Sequence, residues 1–371
     1  MHFKIAKNEF LNGLNIASRA ISINSPLPAL LGIKIEAKDG AIQLTASDSD
    51  ISIRTQIDAT EESKLEISEP GEIVLEARYI LDMVRKIDSD LIDVEILDGS
   101  LTKISGSSVN FELTGIKASN YPIIDFAEPQ EHFELKSDVM KDIIAQTCFA
   151  TSDKETRPVL TGLNVSCEGR KLVCIATDSY RLARKVINLD EDHEFNITIP
   201  ARSLNEVAKI VASAESVTVA LSDKKALFVI GNILIQTRLI DGVYPETSRL
   251  IPGKFEYELT VDARDMLNAI DRAAFIKNDG ISIIKMEMSS SEIVVSSRSN
   301  EVGSTEKLNA ISYTGEPLVI SFRGRYVYEA IRALNCFQVK VRFCGDMKPF
   351  VLTAADSDDV LQLVLPIRTY A

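Results

Sequence analysis

Two rhythms of apolar and polar positions run along the chain. Runs with alternate residues apolar, such as Val217-Thr218-Val219-Ala220-Leu221 and Val339-Lys340-Val341-Arg342-Phe343, predict β-strands. Other segments carry apolar residues at helical spacing. Phe10, Leu14 and Ala17, then Met140, Ile143 and Ile144, then Met266, Leu267 and Ile270 form one set, predicting helices over roughly 8–21, 137–149 and 263–275. Leu81, Val84 and Ile87, then Leu204, Val207 and Val211, then Val327, Ile331 and Leu334 form a second set, over roughly 76–87, 201–211 and 323–334. Each helix of the second set follows a β-rich stretch: Ile73-Val74-Leu75, Ile197-Thr198-Ile199 and Leu318-Val319-Ile320.

These recurrences define an internal repeat of about 125 residues. A third signal is a strand pair around a short polar turn. It joins Ile33-Lys34-Ile35 to Ile42-Gln43-Leu44, Leu163-Asn164-Val165 to Leu172-Val173-Cys174, and Ile284-Lys285-Met286 to Ile293-Val294-Val295. Two copies end in related words, Ala46-Ser47-Asp48-Ser49 and Ala176-Thr177-Asp178-Ser179, and both of these repeats hold an aromatic–proline step, Tyr121-Pro122 and Tyr244-Pro245. Three domains are expected, over 1–126, 127–253 and 254–371, with no Gly/Ser linker between them. The class is α+β, two helices per repeat lying on antiparallel sheet.

The 371 residues are 45% hydrophobic, enough for ordinary cores. No apolar run approaches the ~18 residues of a membrane span, and Met1-His2-Phe3-Lys4-Ile5 lacks a signal-peptide pattern. A cytoplasmic protein without membrane association is expected. Cys148, Cys167, Cys174, Cys336 and Cys344 are odd in number and form no C-x-x-C, so reduced thiols are expected rather than disulfides or zinc.

Charge changes the picture. The net value is −13, which by itself argues against nucleic acid, since phosphate neutralisation supplies most non-specific affinity. The cations are nevertheless sorted. The second set of helices carries Arg78 and Arg85, then Arg202 and Lys209, then Arg325 and Arg332, each pair two helical turns apart on one face. Arg19 and Arg272 add charge near the ends of two opening helices. One such helix is an ordinary solvated face. Three aligned copies in an acidic chain suggest a basic lining that attracts phosphate without reading bases, inside an acidic exterior that discourages binding elsewhere.

Catalytic motifs give no positive case. His2, His132 and His193 lie in no plausible triad or metal setting, and there is no P-loop, G-x-G-x-x-G, H-E-x-x-H or G-x-S-x-G. Asp48 with Asp50, and Asp356 with Asp358 and Asp359, lack the glycine and distal glutamate of a calcium loop and fit polar turns better. No catalytic residue, metal or cofactor is expected.

The chain resembles the beta-subunit family of bacterial DNA polymerase III, the sliding clamps, over its whole length. The words that carry the resemblance are Leu27-Pro28-Ala29-Leu30-Leu31, Ala176-Thr177-Asp178-Ser179-Tyr180-Arg181-Leu182, Asp241-Gly242-Val243-Tyr244-Pro245 and Val364-Leu365-Pro366-Ile367-Arg368. The resemblance implies a non-enzymatic processivity factor: a head-to-tail homodimer whose six domains encircle duplex DNA independently of sequence. Its implied partners are the polymerase III alpha subunit, clamp-loader subunits, and other polymerases and repair proteins carrying a short clamp-binding motif. That motif would dock in a cleft made by Leu160, Thr177, Ser179, Tyr180, Arg181 and Leu182, then Pro245, Arg249 and Leu250, then Leu363, Val364, Leu365, Pro366, Ile367 and Arg368. Aliphatic walls would supply burial, with Arg181, Arg249 and Arg368 meeting the peptide's polar ends. Phe111 and Leu113 would meet Phe275 and Ile276 of the next subunit.

Two places depart from the family. Ser22-Ile23-Asn24-Ser25-Pro26 lacks an arginine that many clamps carry, and Thr369-Tyr370-Ala371 extends the tail beyond the cleft. Two competing readings are a metal-dependent hydrolase using the acidic loops, marked by metal-dependent turnover, and a monomeric repeat scaffold, marked by its mass in solution.

Overall fold

The computed structural model describes residues 1–277 and 279–368. The departure at Thr369–Ala371 lies outside the described residues. Six α-helices occur among them: α1 (Lys7–Ala17), α2 (Ala77–Lys86), α3 (Ser137–Thr147), α4 (Ala201–Ile210), α5 (Ala263–Ala274) and α6 (Gly324–Leu334). Short 3-10 turns, Ser18–Ala20 and Cys148–Ala150, extend α1 and α3 as the apolar spacing predicts.

The chain divides into two compact units, 1–140 with 206–239, and 141–205 with 240–371. The first holds a five-stranded sheet, ordered Glu66–Glu69, His2–Ala6, Leu91–Asp98, Leu101–Gly106, Val109–Thr114, and an eight-stranded sheet. The larger is ordered Glu131–Lys136, Ser216–Leu221, Lys225–Ile230, Ile233–Arg238, Ile51–Asp58, Ala41–Ser47, Gly32–Lys38, Gly71–Glu76. The middle of that sheet joins two repeats, because Ile233–Arg238 pairs antiparallel with Ile51–Asp58. In the second unit a seven-stranded sheet does the same, pairing Arg181–Pro200 with Val360–Val364. A four-stranded sheet, Gly303–Leu308, Ile293–Arg298, Ile283–Met288, Leu318–Arg323, completes that unit.

Local chemistry accounts for the elements. The turn between Gly32–Lys38 and Ala41–Ser47 places Asp39 (φ 51°) and Gly40 (φ 76°) in the left-handed region, as a tight two-residue hairpin requires. The Asp262 side chain caps α5 by accepting from Asp265 N–H at 3.1 Å, and Asn335 closes α6 with φ 47°. The helices bury their apolar stripes: Phe10, Leu14 and Ala17 on α1, Met266 and Ile270 on α5, Val327, Ile331 and Leu334 on α6. These α5 and α6 residues share one core with Leu259, Ile284, Met286, Phe322, Phe343 and Phe350.

One expectation needs correction. On α2 the buried stripe is Ala77, Ile80 and Val84, while Leu81 is only half-buried, because the true face is set by the strands beneath. In the second strand pair Leu163 faces Ile199 and Leu172 faces Ile187 of the run Arg181–Pro200, and the register shifts at Gly169, φ 61°, between the two ladders.

Candidate functional site

The three helices of the second set place their cations identically. Arg78, Arg202 and Arg325 are each the second residue of their helix, and Arg85, Lys209 and Arg332 each the ninth. Arg78, Arg85, Arg202, Lys209, Arg325 and Arg332 are exposed, as are Arg19 and Arg272. Most have a carboxylate close by. Arg78 lies 3.6 Å from Glu76, Arg85 3.1 Å from Asp82 and Arg325 2.8 Å from Glu329. Arg19 (3.4 Å) and Lys209 (2.7 Å) meet on Glu206, and Arg272 holds Glu306 with two guanidinium nitrogens. In the Arg78–Glu76 and Arg85–Asp82 pairs both partners face solvent, and such pairs contribute roughly 0–1 kcal/mol, so a phosphate can displace the carboxylate at little cost.

The surface around residues 177–182 is built by an aspartate turn. Asp178 Oδ1 accepts from Tyr180 N–H (2.9 Å) and Arg181 N–H (3.0 Å), while Thr177 Oγ1 donates to the Arg181 carbonyl at 2.6 Å. Together they hold Ser179 at φ 76°, a region non-glycine residues rarely enter. The Thr177 N–H donates to the Tyr244 hydroxyl at 3.1 Å, so the aromatic–proline step docks on this turn. Burial pushes the Tyr244 phenol well above its ordinary range, against the Thr177 hydrogen bond.

The turn leaves Tyr180 half-exposed, beside the C-terminal segment. Leu365 N–H donates to the Tyr180 carbonyl (3.0 Å) and Ile367 N–H to the Ser321 carbonyl (2.7 Å). Leu182, Leu361 and Leu363 form a small apolar cluster with Val351, flanked by half-buried Ile175, Ile251, Phe255 and Leu365. Pro366 and Ile367 are half-buried, while Ser179, Pro245, Arg249, Leu250 and Arg368 are exposed. Leu160, Thr177, Leu182, Leu363 and Val364 are buried, and Val364 belongs to the large core of α5 and α6. These five supply floor and support, and the open surface comes from Tyr180, Leu250, Leu365 and Ile367 with their half-buried neighbours.

Arg181 is not free to meet a peptide end. It is 8% exposed, pairs with Asp178 at 3.1 Å and with Glu329, and donates to the Phe149 carbonyl at 2.6 Å. Its guanidinium also lies 4.6 Å from the Tyr326 ring centre. Arg323 stacks between Tyr180 (5.1 Å) and Tyr326 (5.2 Å) on the rim. Asp178, Glu329, Phe149, Arg323 and Tyr326 were not singled out by sequence. The repeated Ser/Thr-Asp-Ser word pointed to the turn aspartate, and nothing local pointed to the other four.

The remaining candidates are placed as follows. Phe275 is 67% exposed just beyond α5, but Ile276 is only 2% exposed and packs within its own chain, so it offers no surface to a neighbour. Phe111 and Leu113 are half-buried on an edge strand. Asp48 is a turn residue, accepting from Asp50 N–H (3.1 Å) and Ile51 N–H (2.9 Å), and Asp358 pairs with Arg342 at 2.7 Å. Burial pushes the Cys148 and Cys174 thiols up to about 12. No helix among the described residues is long and apolar enough to cross a membrane.

Comparison with known proteins adds three family models that follow one another along the chain. They describe the N-terminal (residues 1–125), central (134–246) and C-terminal (248–368) domains of the DNA polymerase III beta subunit. The beta sliding clamps of Staphylococcus epidermidis and Bacillus subtilis are 39% and 37% identical, each match covering all of both chains. The crystal structure of the DNA polymerase sliding clamp from Bacillus subtilis superposes with a TM-score of 0.96 at 36% identity, covering all of both chains. The beta subunit from Streptococcus pyogenes does so at 0.94 and 32%.

Proposed function

The chain belongs to the DNA polymerase III beta subunit family, and from that premise we propose that it works in the cytoplasm as a DNA sliding clamp, a non-catalytic processivity factor. Three clamp domains, 1–126, 127–253 and 254–371, pair head to tail with a second copy into a six-domain ring around duplex DNA. A heterologous contact whose rotation closes gives such a ring. Phe275 supplies an exposed aromatic for that contact, opposite Phe111 and Leu113.

The observation that carries this reading is the recurrence of two solvent-facing cations at the second and ninth positions of α2, α4 and α6. Loose, salt-sensitive phosphate contacts hold a ring on DNA and still let it slide. The Tyr180–Leu365 surface then takes the short motif of the polymerase III alpha subunit, of clamp-loader subunits and of repair proteins. Its aliphatic cluster gives burial, and Arg249 and Arg368 meet the polar ends. Arg181 instead fixes the turn that shapes the wall.

The test is primer extension on a singly primed circular template by the alpha subunit with a clamp loader. Adding this chain should lengthen products from short tracts to full circles, and Tyr180→Asp should abolish the gain. Product lengths unchanged by the chain would overturn the proposal.

A further inference from the structure

A hollow of about 660 Å³ opens in the first unit. Its frame repeats the Tyr180–Leu365 surface position for position. Arg238 N–H donates to the Asp50 carbonyl at 2.9 Å, as Leu365 N–H does to Tyr180. Asp48 makes the turn that Asp178 makes, with Ser49 at φ 83°. Leu30 sits in the 3-10 turn Pro28–Leu31 as Leu160 sits in Pro158–Thr161, and Pro122 follows buried Tyr121 as Pro245 follows Tyr244. Gln236 faces Ser52 across the ladder where Leu363 faces Leu182.

The frame is shared but its wall is not. Leu182 gives way to Ser52, Leu363 to Gln236, Leu365 to Arg238 and Tyr180 to Asp50. The opposite edge stays aliphatic, with Leu30, Pro122, half-buried Ile124 and fully exposed Ile123. Lys225 is already used, 3.6 Å from the Asp125 carboxylate and 3.2 Å from Gln236. Arg238 and Lys224 are exposed and make no ion pair within the described residues. A planar guanidinium beside an aliphatic edge suits a carboxylate next to an apolar side chain. Asp50 and Asp223 on the rim disfavour a second acid.

We propose that this groove is a second docking site, for an extended segment of a partner protein that sets one carboxylate on Arg238 and Lys224 and an aliphatic side chain on the Pro122–Ile123 edge. The docking needs neither a ring nor DNA, so it stands or falls apart from the clamp function.

The test places the photo-crosslinking residue benzoylphenylalanine at position 49, in the full chain, and offers three pools of octapeptides. All are rich in leucine and isoleucine, and each member carries one glutamate, one lysine or one glutamine. The glutamate pool should be captured at least tenfold more than the lysine pool. Arg238→Glu, a change at an exposed side chain, should reverse that order, and Tyr180→Asp should leave it intact. Equal capture of the pools, or an unchanged order in Arg238→Glu, overturns the proposal. Loss of capture in Tyr180→Asp also overturns it, by assigning the peptide to the other surface.

Discussion

Replacing Arg181 with alanine should destabilise the second unit more than it weakens any peptide binding. The guanidinium is 8% exposed and joins Asp178, Glu329 and the Phe149 carbonyl. Removing one partner of a buried ion pair costs roughly 3–5 kcal/mol. Glu329 is 26% exposed and keeps Arg325 at 2.8 Å, so the lower end applies, about 3 kcal/mol. In equilibrium urea unfolding followed by circular dichroism, that is a midpoint lowered by about 1 M or more for a slope of up to 3 kcal/mol per molar. Arg181→Lys should recover little, because an ammonium cannot reproduce a planar fork with several fixed donors. Pairing Arg181→Ala with Glu329→Ala should show non-additivity of about 0.5–3 kcal/mol. The same network sets a pH dependence. Burial acts to raise the Glu329 carboxyl, but hydrogen bonds and charge from Arg181 and Arg325 hold it below its ordinary 4.5. Its contribution is therefore full above about 4.5 and lost as pH falls through the depressed value. Glu329→Gln should flatten that acid loss. A loss under 0.5 kcal/mol in Arg181→Ala, or strict additivity in the cycle, would refute this account.

Two further outcomes follow from the proposed ring. Phe275→Glu, leaving buried Ile276 untouched, should yield folded monomers by sedimentation, since each such apolar side chain contributes about 1.5–3 kcal/mol when covered; a persistent dimer would refute the pairing. Reversing Arg78, Arg85, Arg202, Lys209, Arg325 and Arg332 together should flatten the dependence of log affinity for DNA on log salt, by about 0.9 for each phosphate no longer neutralised. A single Arg202→Glu should change it little, and an unchanged slope in the multiple variant would make these residues ordinary solvated faces.

The helices and the three-way repeat were legible because helical spacing is a local property. Even there Leu81 and Ile80, adjacent and both aliphatic, could not be ranked, since only the strands beneath choose between them. The word Thr177-Asp178-Ser179 was legible as a turn through its echo at Ser47-Asp48-Ser49. The role of Arg181 was not, because its partners Phe149 and Glu329 lie 32 residues before and 148 after it. Ile276 looked like surface beside Phe275, yet the turn after α5 sends the two side chains to opposite fates. The hollow at Arg238 was hidden for a similar reason. Its wall joins Asp50 to Arg238, which no local pattern connects.

Encirclement of DNA is tested most directly by topology. The chain, placed by a clamp loader on a nicked circular duplex, should remain bound through gel filtration at moderate salt. Cutting that circle once with a restriction enzyme should release it within minutes, although every phosphate remains available. Retention that survives linearisation undiminished would contradict the ring and leave only ordinary surface binding.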